Sequence, residues 1–192
     1  MRIIHLSLIL IFLFFTACTQ SDNPVVIMET EFGKIVIEIF EEQAPLTSAN
    51  FLRYVDEERL VDAVFYRVVT LNNQEDHPYK IKVLQGGLFE DEHPMMLAGI
   101  KHENTEETGI LHKDGVISLA RLEPGTATSE FFICIGDQPE LDFGGRRNPD
   151  GYGFAAFGKV IKGMNVVREI QQLPETNQML NKPIKITLVQ RQ

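Results

Sequence analysis

The sequence predicts an all-β domain whose antiparallel strands close into a barrel or a sandwich, accompanied by two helices. Three observations support this fold class. Short runs rich in β-branched and aromatic residues recur along the chain, turns containing glycine or proline separate them, and only two segments show helical periodicity. The chain has 192 residues, of which 44% are hydrophobic, as expected for one domain with a sizeable core.

The first predicted elements are a β-hairpin and a helix. Residues 25–28 and 34–40 flank a turn at Gly33, and isoleucine occupies every other position from Ile35 to Ile39, which is the period of a strand with one buried face. The helix is predicted to begin at Pro45, because proline suits a first helical turn, and to end near Glu58.

The remaining elements follow the same logic of apolar runs between turns. A second amphipathic helix is predicted over residues 164–173, where apolar residues recur at intervals of three. Further strands are predicted at residues 64–69, 81–84 (leading into Gly86-Gly87), 116–121, 131–135, 154–160 and 184–189.

The first seventeen residues have the composition of a targeting segment. One arginine precedes an unbroken apolar run over residues 8–15, which is too short to cross a membrane core that needs about 20 residues. The small residue before Cys18 resembles the cleavage site of bacterial lipoproteins. Residues 1–17 are therefore predicted to be a lipoprotein signal peptide and Cys18 the lipidation site; an ordinary secretory signal and a retained membrane helix are the alternatives.

This interpretation predicts the organisation and location of the mature protein. Residues 18–24 form a polar linker and residues 25–190 the folded domain, held by the lipid at the bacterial cell envelope and facing the periplasm or the cell exterior. With lipid on Cys18, Cys134 has no intramolecular partner, and its apolar strand neighbours predict a buried thiol. We expect no disulfide framework and a monomer.

The charge of the chain restricts its partners. The formal net charge is −9 and the sequence pI about 5.0, so the surface repels phosphate backbones. Nucleic acid is therefore not an expected partner.

Six sequence blocks carry a resemblance to a known family. They are residues 65–69 (FYRVV), 85–87 (QGG), 115–120 (GVISLA), 129–133 (SEFFI), 157–160 (FGKV) and 163–167 (GMNVV). In this order they resemble the successive signature blocks of the cyclophilins, which are peptidyl-prolyl cis/trans isomerases. The resemblance spans nearly all of residues 25–189. It implies a closed eight-stranded antiparallel barrel capped by two α-helices, with a peptide groove on its outer wall.

The resemblance also implies the catalytic residues. Arg67 falls on the family's catalytic arginine, a rigid charged donor suited to a twisted imide nitrogen. Gln85 corresponds to the glutamine that holds the peptide and orients the arginine, and Phe132 to the floor of the proline pocket. Strand alternation predicts that Arg67 shares a face with Phe65 and Val69.

Other matched positions are predicted to contact the substrate, although several side chains depart from the family pattern. Arg121 replaces the asparagine that bonds substrate backbone, Phe154 replaces a histidine at the groove's edge, and Glu140 replaces a tryptophan. The links 70–80 and 142–153 are longer than in compact members. The predicted substrate-binding residues are Val83, Arg121, Glu130, Leu141 and Phe154.

The leading hypothesis is an isomerase that accelerates X-Pro isomerisation during folding of envelope proteins, with proline-containing polypeptides as partners. The alternative is a catalytically weak peptide-binding chaperone or scaffold that uses the same groove. A lipocalin-like carrier would need an open barrel, whereas phenylalanine-rich strands favour a filled interior.

Other combinations of reactive residues are weaker. His93, His102 and His112 lie near glutamates, but without the spacing of a zinc site. Ser118 and Ser129 have no histidine and aspartate placed to suggest a triad. We expect no metal and no cofactor.

Overall fold

The computed structural model describes residues 23–74, 76–90 and 92–192. The predicted signal peptide (residues 1–17), the lipidation site at Cys18 and most of the predicted linker lie outside the described residues. Among the residues described, no helix is both long and apolar enough to span a membrane.

The described chain forms one antiparallel sheet. Its strands are β1 (Val25–Thr30), β2 (Gly33–Ile39), β3 (Val64–Val69), β4 (Val83–Gly87), β5 (Val116–Leu119), β6 (Phe131–Cys134), β7 (Ala155–Lys162), β8 (Glu175–Thr176) and β9 (Met179–Arg191). Eight of them follow one another in the order β1-β2-β7-β5-β6-β4-β3-β9, and β9 also pairs with β1. This pairing closes the ring, so the predicted eight-stranded barrel is confirmed; β8 is a short addition that pairs with β9.

The barrel is filled by apolar side chains. The isoleucines that alternate along β2 all point inward and have no exposed surface. The ring of Phe51 lies 5.0 Å from Phe157 and 6.0 Å from Phe131, and Phe131 lies 5.9 Å from Phe65. These edge-on and tilted contacts leave no open interior for a carried ligand.

Two main helices pack on this barrel, as predicted. They are α1 (Pro45–Asp56), which contacts β7 and β9, and α3 (Met164–Gln171), which contacts β2 and β4; a four-residue helix, α2 (Thr105–Thr108), was not predicted. Residue Ala44 offers no side-chain cap to α1. The buried carboxylate of Glu103 takes that place, because it accepts hydrogen bonds from the backbone N–H groups of Leu46 and Thr47 and from the Thr47 hydroxyl.

Strand β3 departs from the alternation that the sequence predicts. Its register with β4 and β9 shifts between Phe65 and Arg67, so Tyr66 is the extra residue of a β-bulge. Phe65 and Val68 face the barrel core, whereas Val69 belongs to a separate apolar cluster under the outer wall. The prediction that Arg67 shares a face with Phe65 is therefore wrong, because the bulge reverses the alternation.

Candidate functional site

A groove of about 610 Å³ lies on the outer wall of the barrel. Its apolar floor is the second cluster of buried side chains, which is separate from the barrel core and includes Val69, Ile81 and Cys134. Burial raises the pKa of the Cys134 thiol, which has no exposed surface, so this cysteine is an inert thiol beneath the floor. The residues predicted to act in catalysis or binding all line the groove: Arg67, Val83, Gln85, Arg121, Glu130, Phe132, Leu141 and Phe154.

Phe132 forms the centre of the floor. Phe131 turns into the barrel core while Phe132 belongs to the outer cluster, as strand alternation predicts. The ring of Phe132 meets the edge of Phe154, with centroids 5.4 Å apart and an angle of 88°. Together with Leu141 and Val83, these rings form an apolar pocket within the groove.

The guanidinium of Arg67 is held from two sides. Its Nη1 donates to Oε1 of Gln85 at 2.9 Å, and its Nε and Nη2 donate to Oε1 of Gln178 at 3.1 Å and 2.5 Å. A guanidinium has five N–H donors, so two remain, and these have no acceptor within the described part of the chain. Burial lowers the pKa of Arg67, yet an arginine stays cationic at any physiological pH. The groove therefore contains two charged donors fixed in direction.

A relay of hydrogen bonds sets the orientation of Gln85. Its Nε2 donates to the hydroxyl oxygen of Tyr66 at 2.6 Å, and that hydroxyl donates to Oε2 of Glu130. Burial and the negative charge of Glu130 raise the pKa of Tyr66, so the phenol keeps its proton. Because Tyr66 gives its only proton to Glu130, it accepts from the amide nitrogen of Gln85, and the amide oxygen must face Arg67.

Comparison with known proteins identifies the family to which the chain belongs. A family model described as "Cyclophilin type peptidyl-prolyl cis-trans isomerase/CLD" matches residues 25–191. The chain belongs to the cyclophilin family. It is therefore a cyclophilin-type peptidyl-prolyl cis/trans isomerase, as the resemblance of the six sequence blocks implied.

The relatives of this cyclophilin include bacterial isomerases, and the solved structures similar to it include one from Cryptosporidium parvum. A peptidyl-prolyl cis-trans isomerase of Acinetobacter baylyi is 32% identical over 174 residues, covering 88% of this chain and 85% of the relative. Peptidyl-prolyl cis-trans isomerase B of Escherichia coli is 32% identical over 148 residues, covering 77% and 84%. A cyclophilin-type isomerase of Cryptosporidium parvum, 19% identical, shares the fold with a TM-score of 0.69 over 88% of this chain and 98% of that one.

A buried polar network supports the floor of the groove in this cyclophilin. Atoms Nδ1 and Nε2 of His112 lie 2.8 Å from Asp142 Oδ1 and 3.0 Å from Ser118 Oγ. The expectation that Ser118 has no histidine and aspartate placed to suggest a triad is wrong, because the fold brings His112 and Asp142 to it although their spacing along the chain gives no signal. Ser118 has no exposed surface, so it cannot act as a nucleophile on a bound peptide. The imidazole instead stacks against Phe132, at 5.9 Å and 19°.

Arg121 lines the groove but has no donor left for a substrate. Its five N–H groups donate to the carbonyl oxygens of Gly153 and Leu122 and to the carboxylate of Asp150. Its side chain is 1% exposed and lies over the ring of Phe154, 5.3 Å from the ring centre. Arg121 therefore fastens the link 142–153 to the rim, and any contact it makes with peptide must use its backbone or its carbon chain.

Gln178 is a residue of the site that the sequence reasoning missed. It lies in the turn between β8 and β9, where Asn177 and Gln178 both adopt positive φ angles, 53° and 70°. Its Nε2 donates to the carbonyl oxygen of Asn73 at 2.9 Å, which fixes its Oε1 toward Arg67. The final strand was predicted to begin at residue 184, so only Asn177, a residue type that tolerates left-handed geometry, could have signalled this turn.

Gln85 and Gln178 together form a clamp on the guanidinium of Arg67. We expect Gln178→Ala to lower kcat by about 3- to 10-fold with KM nearly unchanged, because Arg67 keeps its hydrogen bond to Gln85 but loses those to Gln178. A loss confined to kcat indicates misplacement of a donor used in the transition state. The measurement is isomerisation of an X-Pro peptide by exchange NMR, with thermal unfolding to confirm the fold. Gln190→Ala, an exposed glutamine on β9, is the matched control; equal rates for both variants would contradict the clamp.

The described residues contain no group of three or more histidine, cysteine, aspartate or glutamate side chains able to hold a metal ion.

The two long links, 70–80 and 142–153, meet at one end of the groove. Glu140 forms a 3.0 Å ion pair with Arg146, whose guanidinium lies 4.1 Å from the ring centre of Tyr79. Each link thus braces the other beside the floor.

Proposed function

We propose that the groove accelerates X-Pro isomerisation in polypeptides of the bacterial cell envelope, with Arg67 as the catalytic residue. Rotation about the bond is opposed by amide resonance, with a barrier of about 18–20 kcal/mol. In the twisted state the prolyl nitrogen regains a lone pair and becomes a good acceptor. A donor that bonds this state better than the planar one lowers the barrier, and no nucleophile is required.

The observation that carries this proposal is the pair of free N–H groups of Arg67 beside the pocket of Phe132. The apolar pocket would grip the proline ring while Arg67 meets the turning amide. The Cryptosporidium parvum relative was also solved in the presence of the dipeptide Ala-Pro, and similar chemistry in this groove would bind an X-Pro segment.

The test is a prolyl-isomerisation assay with the fragment that begins at Asp22. We expect exchange between cis and trans peptide, which takes tens to hundreds of seconds without a catalyst, to become faster in proportion to the enzyme concentration. A fragment that binds the peptides without accelerating exchange would favour the chaperone or scaffold alternative.

We further propose that this cyclophilin is tethered to a membrane by lipid on Cys18, so that its clients are envelope proteins. The small residue before Cys18 and the short apolar run before it support this proposal. Residues 19–24 would then act as a polar spacer between the membrane surface and β1.

Cys18→Ser should move the full-length protein from the detergent phase to the aqueous phase, because several acyl chains are needed for stable anchoring and the serine carries none. The measurement is detergent phase partitioning of both proteins expressed in bacteria. Two aqueous proteins, or two detergent-soluble ones, would contradict lipidation at this residue.

A further inference from the structure

The link 142–153 contributes a second guanidinium to the groove, that of Arg147. Its backbone N–H donates to the carbonyl oxygen of Glu140 at 3.0 Å, which holds the residue against the floor at Leu141. Its Nη1 donates to Oε1 of Gln74 at 2.7 Å and to the carbonyl oxygen of Tyr79 at 3.0 Å. The Nε and Nη2 donors have no acceptor among the residues described, so three N–H groups of this half-buried cation remain free.

No carboxylate of the described chain pairs with Arg147 or with Arg67. Burial, and then the positive charge of Arg67, lower the pKa of Arg147, so the two guanidinium groups that line this groove repel each other. This like-charge pair costs free energy in the empty groove. An anion placed between or beside the two groups would remove that cost.

The other charged groups of the groove do not neutralise this pair. The oxygens of Glu130 accept from Tyr66, Ser129 and the backbone of Phe89, and Glu90 is exposed next to Phe89. The carboxylate of Glu130 lies against Gly87, the last residue of β4, and Glu90 follows Gly87 three residues later. Arg147 donates to the carbonyl oxygens of Glu140 and Tyr79, and Tyr79 precedes the opposite end of β4, which begins at Val83. The groove is therefore cationic at one end and anionic at the other.

The acids and bases of the surrounding rim are paired among themselves. Arg121 is bound by Asp150, and Glu140 is bound by Arg146. The free positive charge at the floor thus belongs to Arg67 and Arg147.

We propose that Arg147 is a specificity-determining residue that, with Arg67, selects polypeptides carrying an acidic side chain on one side of the X-Pro bond. The inference rests on the proposed function of the groove and names its substrate class. A carboxylate can accept two parallel hydrogen bonds from the Nε and Nη2 groups of one guanidinium. Because the far end of the groove carries Glu90 and Glu130, the preference is expected on one side of proline only.

The test uses short peptides with a central Ala-Pro bond. Glutamate, alanine or lysine is placed in turn at each of the two positions before Ala-Pro and at each of the two positions after it. Exchange NMR gives kcat/KM and titration gives Kd. At one position, glutamate should raise kcat/KM and lower Kd by about 3- to 10-fold relative to alanine, whereas lysine should lower kcat/KM and raise Kd. About 1 M salt should remove most of the difference, since charges in an open groove are screened.

Two variants and one control assign the preference to its residue. Arg147→Gln should abolish the advantage of glutamate. Arg147→Lys keeps the positive charge but lacks the planar group that donates two parallel hydrogen bonds, so it should retain part of the advantage. Arg146→Gln removes the same charge from the neighbouring position outside the groove and should preserve the advantage. Thermal unfolding of each variant reports whether the link is still packed.

Equal values of kcat/KM and Kd for glutamate, alanine and lysine peptides would overturn the inference and leave isomerisation itself intact. A preference that survives in folded Arg147→Gln would overturn it as well. If no peptide is turned over, the proposed function fails, and a preference in Kd that is lost in Arg147→Gln still supports the inference.

Discussion

Arg67→Ala is expected to lower kcat/KM for X-Pro isomerisation by about 10- to 150-fold in a protein that stays folded. The variant removes the two N–H donors that no described group of the protein uses. A charged hydrogen bond that forms in the twisted state contributes roughly 1.5–3 kcal/mol, which corresponds to this range of rates. Exchange NMR at substrate concentrations below KM measures the effect directly.

The control for Arg67→Ala is Arg53→Ala, which removes an exposed arginine of α1 far from the groove and should leave the rate unchanged. Arg67→Lys should be intermediate at best, because a single ammonium cannot bond Gln85 and Gln178 and also a substrate in the same geometry. Arg121 cannot replace Arg67, since its five N–H groups are all bound to protein acceptors. Full activity in folded Arg67→Ala would refute the catalytic assignment.

Glu103→Ala is expected to lower the free energy of unfolding by about 2–4 kcal/mol. The substitution leaves the N–H and hydroxyl of Thr47, which has no exposed surface, and the N–H of Leu46 without their acceptor. A buried donor that loses its partner costs about 1–3 kcal/mol, and a carboxylate at a helix N-terminus also interacts favourably with the helix dipole. Urea denaturation measures the change, which corresponds to a fall in Tm of about 4–16 °C.

The matched control is Glu107→Ala, in the same segment but exposed, which should change stability by no more than about 0.5 kcal/mol. If Glu103→Ala is as stable as this control, α1 does not depend on the remote carboxylate. The effect should not extend to Arg67, so the folded fraction of Glu103→Ala is expected to keep the kcat of the parent chain.

Much of the fold could be predicted from local pattern. The alternating isoleucines of β2, the opposite faces of Phe131 and Phe132 and the start of α1 at Pro45 depend on neighbouring residues in the chain. The groove residues were predicted from the resemblance of the six sequence blocks to the cyclophilins, and all of them line one groove.

The rest depends on contacts that no local pattern records. The bulge at Tyr66 lies where the register of β3 with both β4 and β9 shifts, between Phe65 and Arg67. Gln178 reaches Arg67 across 111 positions of sequence, and Glu103 caps a helix 56 positions away. Arg147 lies in the link 142–153, whose length is evident from the sequence but whose course over the barrel is not. In each case the partner is chosen by the closed barrel and not by spacing along the chain.

The closing pair of strands, β1 with β9, has a consequence for the order in which the enzyme is made. Synthesis delivers β1 before the other strands and β9 after them, so the ring stays open until residues 179–191 are available. Until then β1 and β3 each present an unpaired edge, and the clamp on Arg67 lacks Gln178. A growing chain therefore completes its site only when β9 has been added, and one interrupted before β9 has an open barrel and an incomplete site.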